Sequence, residues 1–267
     1  MDEKISQYLD DVQQLARLAG ETILDIYQTD FIVKTKSDKT PVTEADFAAN
    51  KIIVAGLKNL TPDIPVISEE EGLAPFEERQ SWSRYWLIDP LDGTREFIQK
   101  NGEFTINIAL IENQQPILGV VYAPVLNLMY YAVQGEGSYK VTEDSKVKKI
   151  LVSKKCAKPI RVTGSQSFTS NEFINFVRCL PNCEVINLGS ALKSCLVAEG
   201  GADIYPRFGL TSEWDTAATQ CILEEAGGHL VGLDIKPLRY NTKDSLLNPH
   251  FLAYGDANIN WALYCKK

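Results

Sequence analysis

The stretch Trp86-Leu87-Ile88-Asp89-Pro90-Leu91-Asp92-Gly93-Thr94 sets two carboxylates three positions apart, where an apolar run predicted to be a strand meets a turn fixed by Pro90 and Gly93. A turn of this kind aims both carboxylates and a backbone carbonyl at one point. That donor set suits a hard cation that takes oxygen ligands and keeps some waters, magnesium before manganese. The same residues also satisfy an Asx-type turn, in which Asp89 and Asp92 only accept neighbouring N–H groups. Other acids carry the same two meanings. Glu69, Glu70 and Glu71 follow the predicted strand Pro65 to Ser68, at the strand end where open α/β sheets place ligands, yet on their own they read as a solvated charge run. Asp215, beside Trp214 at a predicted helix start, suits a ligand kept immobile by the packed indole and equally a cap that favours the helix dipole. Thr43-x-x-Asp46 has the spacing of a capping box, with Asp in place of the usual Glu, so Asp46 is open to a structural or a chemical role.

Rival chemistries find less support. His229 and His250 are the two histidines of the chain, and neither has an acidic or cysteine partner at metal-ligand spacing, so both are expected to be structural. No G-x-S-x-G elbow, Walker A loop or G-x-G-x-x-G fingerprint occurs. Two carboxylates three residues apart on one turn fit a shared cation better than the opposite faces of a sugar ring, which ranks a glycosidase last. The net charge of −8, from 27 basic and 35 acidic residues, argues against nucleic acid as a partner, while divalent cations on carboxylates would still admit an acidic substrate.

These acids need rigid elements to hold them. With 45% hydrophobic residues the 267-residue chain can bury a sizeable core. Ile5, Tyr8, Val12, Leu15, Ala19, Ile23 and Ile26 recur at helical steps and predict a first helix over residues 3–27. After the polar stretch 34–41 a second helix begins at its N-cap Thr43. Strands are predicted at 65–68, 85–88, 104–111, 117–122 and 128–133, forming a largely antiparallel sheet. Beyond the charged segment 142–149, strands near 160–163 and 184–187 alternate with helices near 171–179, 191–199 and 214–226, an α/β pattern. A boundary near residue 155 divides an N-terminal α+β domain, 1–155, from a C-terminal α/β domain, 156–267, with the two packed as one rigid body. The charged N-terminus lacks the apolar core of a secretory signal, no run reaches the 18 apolar residues of a spanning helix, and the six cysteines have no C-x-x-C pair. A cytoplasmic protein with reduced thiols and at most peripheral membrane contact is expected.

Taken together, Asp89-Pro90-Leu91-Asp92-Gly93-Thr94 and Trp214-Asp215-Thr216-Ala217-Ala218 resemble the inositol monophosphatase superfamily. The likeness extends through PVTEAD at 41–46, ISEE at 67–70, NGEFTINIAL at 101–110, GSALK at 189–193 and AEGGADIYPRFG at 198–209. Within the superfamily, the DGTREFI, GSALK and YPRFG segments are most similar to the 3'(2'),5'-bisphosphate nucleotidases of the bacterial CysQ type. The resemblance implies a layered α-β-α-β-α sandwich of the inositol monophosphatase and fructose-1,6-bisphosphatase kind, with the metals between its halves. It further implies that Glu69, Asp89 and the Leu91 carbonyl hold one Mg²⁺, that Asp89, Asp92 and Asp215 hold a second, and that a third, weaker ion sits on Glu69. Asp46 and Thr94 would orient and deprotonate the attacking water. Two such ions about 3.5–4 Å apart activate the water and neutralise the leaving oxygen without a phosphoenzyme. Glu69, Leu91, Asp92, Gly93, Thr94 and Asp215 would face the scissile phosphate, while Ser190, Lys193 and Arg207 would contact the phosphate that is not cleaved. Family members often carry a basic or histidine contact near the start of the second half, where this chain reads Thr163-Gly164-Ser165-Gln166-Ser167. The implied reaction converts 3'-phosphoadenosine 5'-phosphate to AMP and phosphate, with the phosphosulfate analogue as a further substrate and lithium as an inhibitor. An inositol or other sugar monophosphatase is the nearest alternative, and a silent metal- or nucleotide-binding module the alternative of another class.

Overall fold

The computed structural model describes residues 4–35, 41–165 and 170–265. Most of the polar stretch 34–41, together with Gln166 and Ser167, lies outside the described residues. The first apolar stripe forms α1 (Leu9–Tyr27), entered through a single 3-10 turn at Ile5–Tyr8, while residue 3 of the predicted span lies outside the described residues. Its Val12, Ala16, Ala19 and Ile23 are fully buried, the inward face that the spacing predicts. A short ladder of β1 (Val33–Thr35) and β2 (Pro41–Thr43) leads into α2 (Glu44–Leu60), where Thr43 is the N-cap as expected.

A seven-stranded sheet follows: β3 (Val66–Ser68), β4 (Arg84–Asp92), β5 (Thr105–Glu112), β6 (Gln115–Ala123), β7 (Leu128–Val133), β8 (Gly137–Val141) and β9 (Val147–Ile150). The strands lie in chain order and only β3 and β4 run parallel. Two short helices, α3 (Phe76–Arg79) and α4 (Thr94–Ile98), sit on either side of β4 in the chain. The charged segment 142–149 is not an interruption: part of it is β9, an edge strand whose exposed lysines discourage further pairing.

The second sheet is mixed, in the order β11 (Cys183–Asn187), β10 (Ile160–Gly164), β12 (Ile204–Arg207), β14 (Phe251–Tyr254), β13 (His229–Gly232). It carries α5 (Asn171–Cys179), α6 (Leu192–Ala198) and α7 (Glu213–Glu225). Alternation along the strands divides the core into layers. Trp86, Ile88, Ile106 and Ile108 pack with α1 and α2, whereas Tyr85, Leu87, Ala109 and Val121 turn to the other face and meet Cys195, Ala217, Ala218 and Ile222 of α6 and α7. Tyr205, Leu230 and Ala253 of the second sheet close that middle layer, and Val162, Ile204 and Leu252 pack with Phe176 of α5 beyond it. The order is α-β-α-β-α.

Helix α7 approaches the large sheet closely because Gly119 offers no side chain. A Cβ there would collide with the Ala218 carbonyl oxygen. This contact places the N-terminus of α7 level with the carboxyl ends of β3 and β4.

Candidate metal centre and the cleft around it

Strand β4 does not end before the acidic pair, as the sequence suggests, but continues through it to Asp92. Pro90 is tolerated inside a central strand because the ladder to β5 shifts register between Asp89 and Asp92, so no paired N–H is missed. Gly93 then takes φ 93°, a left-handed conformation that costs glycine little, and turns the chain into α4. The Asx-type bond is present as well: Asp89 Oδ1 accepts the Leu91 N–H at 3.0 Å. Parallel pairing of β3 with β4 sets Glu69 beside this turn, with the Glu69 N–H donating to the Ile88 carbonyl at 3.3 Å.

Asp215 arrives from the middle layer. Its Oδ2 accepts the Ser212 N–H at 2.8 Å, so Ser212 is the N-cap of α7 and Asp215 the third-position partner of a capping box. Carboxylate oxygens of Glu69, Asp89 and Asp215 all lie within 4.8 Å of one another. Asp92 stands next to this triple, with its Oδ2 at 3.4 Å from Asn107 Nδ2.

Burial of so many acids has an electrostatic cost. Desolvation first, then the charges of Glu69, Asp92 and Asp215, hold the Asp89 carboxyl well above the usual range. Asp215 moves the same way through burial and then Asp92. Burial pushes Asp92 up to about 6, against the pull of Lys193. The triple fits a divalent cation: hard oxygen donors in a tight group, with the ionised forms of Asp89 and Asp215 favoured once positive charge is added. Glu70 is half-buried too, and of the expected charge run only Glu71 is exposed.

Asp46 is buried behind the turn. Its Oδ2 takes both the Thr43 N–H and the Thr43 hydroxyl at 2.7 Å, while its Oδ1 accepts from Thr94 Oγ1 at 3.2 Å. The capping box is therefore real, and the same carboxylate reaches the cleft through Thr94. Burial raises its proton affinity despite these bonds.

Glu69, Asp89, Leu91, Asp92, Thr94 and Asp215, but not Asp46, border one open cleft of about 500 Å³, which also takes in Gly93, Ser190, Lys193 and Arg207. Lys193 is buried. Its ammonium donates to the carbonyls of Leu188 at 3.3 Å and Ser190 at 2.7 Å, and burial lowers its pKa to about 8. Arg207 Nη2 donates to the Leu210 carbonyl at 3.0 Å. Ser190 precedes α6, with φ 46°, and its buried Oγ has no partner among the described residues. Tyr205, under the Lys193 ammonium at 5.5 Å, and buried Glu96 also line the cleft. Nothing local in the sequence marks either, since both act across the fold. His229 packs on Tyr254 and His250 against Phe208, away from the acids, and all six thiols are free. Among the described residues no helix is long and apolar enough to cross a membrane.

The sequence model of the inositol monophosphatase family matches residues 5–261. The 3'(2'),5'-bisphosphate nucleotidase CysQ of Salmonella typhimurium is 50% identical over 245 residues, covering 91% of this chain and 98% of the relative. That of Haemophilus influenzae is 39% identical over 257 residues, covering 95% and 94%. Among solved structures, CysQ from Bacteroides thetaiotaomicron, described as a bacterial member of the inositol monophosphatase family, superposes with a TM-score of 0.82 at 38% identity, over 94% of this chain and 98% of that one. A Thermotoga maritima IMPase does so with a TM-score of 0.79 at 27% identity, over 97% and 96%. The chain belongs to the inositol monophosphatase family.

Proposed function

We propose that this protein is a magnesium-dependent 3'(2'),5'-bisphosphate nucleotidase that hydrolyses 3'-phosphoadenosine 5'-phosphate to AMP and phosphate, clearing a by-product of sulfate assimilation. The observation that carries the reading is the cleft itself. It joins three mutually close carboxylates, Glu69, Asp89 and Asp215, to a second end built from Ser190, Lys193 and Arg207.

Glu69, Asp89, the Leu91 carbonyl, Asp92 and Asp215 would hold two Mg²⁺, with a third, weaker ion on Glu69 and Mn²⁺ as a substitute. When bound, such ions lower the pKa of water and neutralise charge on the phosphoryl and leaving oxygens. Thr94 donates its hydroxyl hydrogen to Asp46 and so keeps lone pairs for a water at the cleft. As that water attacks phosphorus, its proton passes through Thr94 Oγ1 to Asp46 Oδ1, and burial suits Asp46 to take it. The P–O bond to the ribose breaks in line, its electron pair leaving with the ribose 3'-oxygen, which takes a proton from solvent in the open cleft. At the other end, two of the three Lys193 N–H groups are spent on carbonyls, leaving one for an anion. Arg207 adds a planar fork and Ser190 an unsatisfied hydroxyl.

A division near residue 155, with the acids of β3 and β4 on one side and Asp215 on the other, and residence in the cytoplasm belong to the same reading. Product identity tests it. Chromatography of the reaction mixture should show AMP bearing its phosphate at the 5' position; release of the 5'-phosphate instead would reverse the orientation of the substrate in the cleft.

A further inference from the structure

We propose that Glu103 is a positioning residue that fixes the second-phosphate end of the cleft against the metal-bearing turn, and thereby sets the preference for substrates with two phosphates. This rests on the nucleotidase reading above.

Glu103 stands at the entry to β5, where its own N–H is held by Asn101 Oδ1 at 2.9 Å and the Asn101 N–H by the Glu96 carbonyl at 3.2 Å. From this braced loop its Oε2 accepts the Gly189 N–H at 2.7 Å, a charge-assisted bond between segments 86 residues apart. Gly189 is pressed onto the loop: a Cβ there would collide with the Glu103 carbonyl oxygen and come within 2.7 Å of Glu96 Cγ. The turn 188–190 is thus gripped on its carbonyls by Lys193 and on its amide by Glu103. Ser190 in turn lies against the acidic turn, its Cβ 3.2 Å from where a Cβ on Gly93 would be. With the turn pinned from both sides, the unpartnered Ser190 hydroxyl and the remaining Lys193 N–H stand at a fixed distance from Asp92 and Thr94. A bisphosphate must satisfy both ends at once. A monophosphate uses only one, and is indifferent to where the other stands.

The test is steady-state kinetics of wild type, Glu103→Ala, Glu103→Asp and Glu103→Gln on 3'-phosphoadenosine 5'-phosphate and on adenosine 3'-monophosphate, which lacks the second phosphate. Losing a bond of this kind should raise KM for the bisphosphate about tenfold, leave its kcat within about twofold, and leave kcat/KM for the monophosphate within about twofold. Glu103→Asp withdraws the oxygen by one methylene and should match the Ala variant, so it carries the test if that variant fails to fold. Glu103→Gln keeps an acceptor for the Gly189 N–H and should recover most of the lost affinity. Equal losses on both substrates, or no change on either, overturn the proposal while leaving the nucleotidase reading in place. If the wild type does not prefer the bisphosphate, both fall.

Discussion

Thr94 Oγ1 lies 3.2 Å from Asp46 Oδ1, joining the first residue of α4 to a carboxylate whose other oxygen closes the N-cap of α2. One side chain therefore serves the fold and the cleft. Asp46→Asn keeps an oxygen to cap with but loses the base. It should lower stability by about 1 kcal/mol and kcat by at least about a hundredfold. Thr94→Ala should reproduce the kinetic loss with little change in Tm. Parallel measurement of kcat and thermal unfolding separates the two effects, and an Asp46→Asn enzyme that is unstable but fully active would contradict them.

Stability should depend on pH through the same acids. Asp92 moves from an ordinary 3.8 to about 6, and Asp46, Asp89 and Asp215 are also raised. The folded state thus retains protons that the unfolded chain releases. In chelator the Asp92 contribution is complete below about pH 4 and is lost as pH rises through about 6, and the other three are lost in the same direction, above the ordinary carboxylate range. A divalent cation favours the ionised forms, so the increase in Tm on adding Mg²⁺ over EDTA should grow across that window. An increase independent of pH would contradict the assignment.

Lys193 works in the opposite direction. Burial brings its pKa from 10.5 down to about 8, so the charge that receives a phosphate is present below that value and fades above it. The kcat/KM for 3'-phosphoadenosine 5'-phosphate should fall above about pH 8, and Lys193→Met should remove this limb while lowering the plateau about tenfold or more. The pH profiles of the two enzymes decide it.

Gly119→Ala should destabilise the protein by about 1–3 kcal/mol, because the added methyl meets the Ala218 carbonyl oxygen and no rotamer relieves it. Since α7 carries Asp215, the Mg²⁺ concentration for half-maximal activity should rise as well. Urea unfolding and a metal titration measure both.

Much of this was legible in the chain before folding. The 3–4 spacing from Val12 to Ile23 and the Thr43 cap mark the two helices that cover the first sheet, because their packing is written in local periodicity. Pro90 misleads, since proline ends most strands and the register shift that accommodates it is a property of the pair β4–β5. The edge strand β9 hides behind its lysines, and β12, β13 and β14 are too short, at 4 residues each, to show a period. For the site, Asp89 and Asp92 announce themselves by spacing. The contact of Asp46 with Thr94, the burial of Lys193 and the reach of Glu103 to Gly189 join distant segments, and composition or spacing carries no trace of them.

The most direct test is phosphate release from 3'-phosphoadenosine 5'-phosphate and from inositol-1-phosphate, side by side, with Mg²⁺ or with EDTA. Turnover of the nucleotide that requires Mg²⁺ and far exceeds that of inositol-1-phosphate is the predicted result. Preference for inositol-1-phosphate, release that persists in EDTA, or no release from either substrate would contradict it.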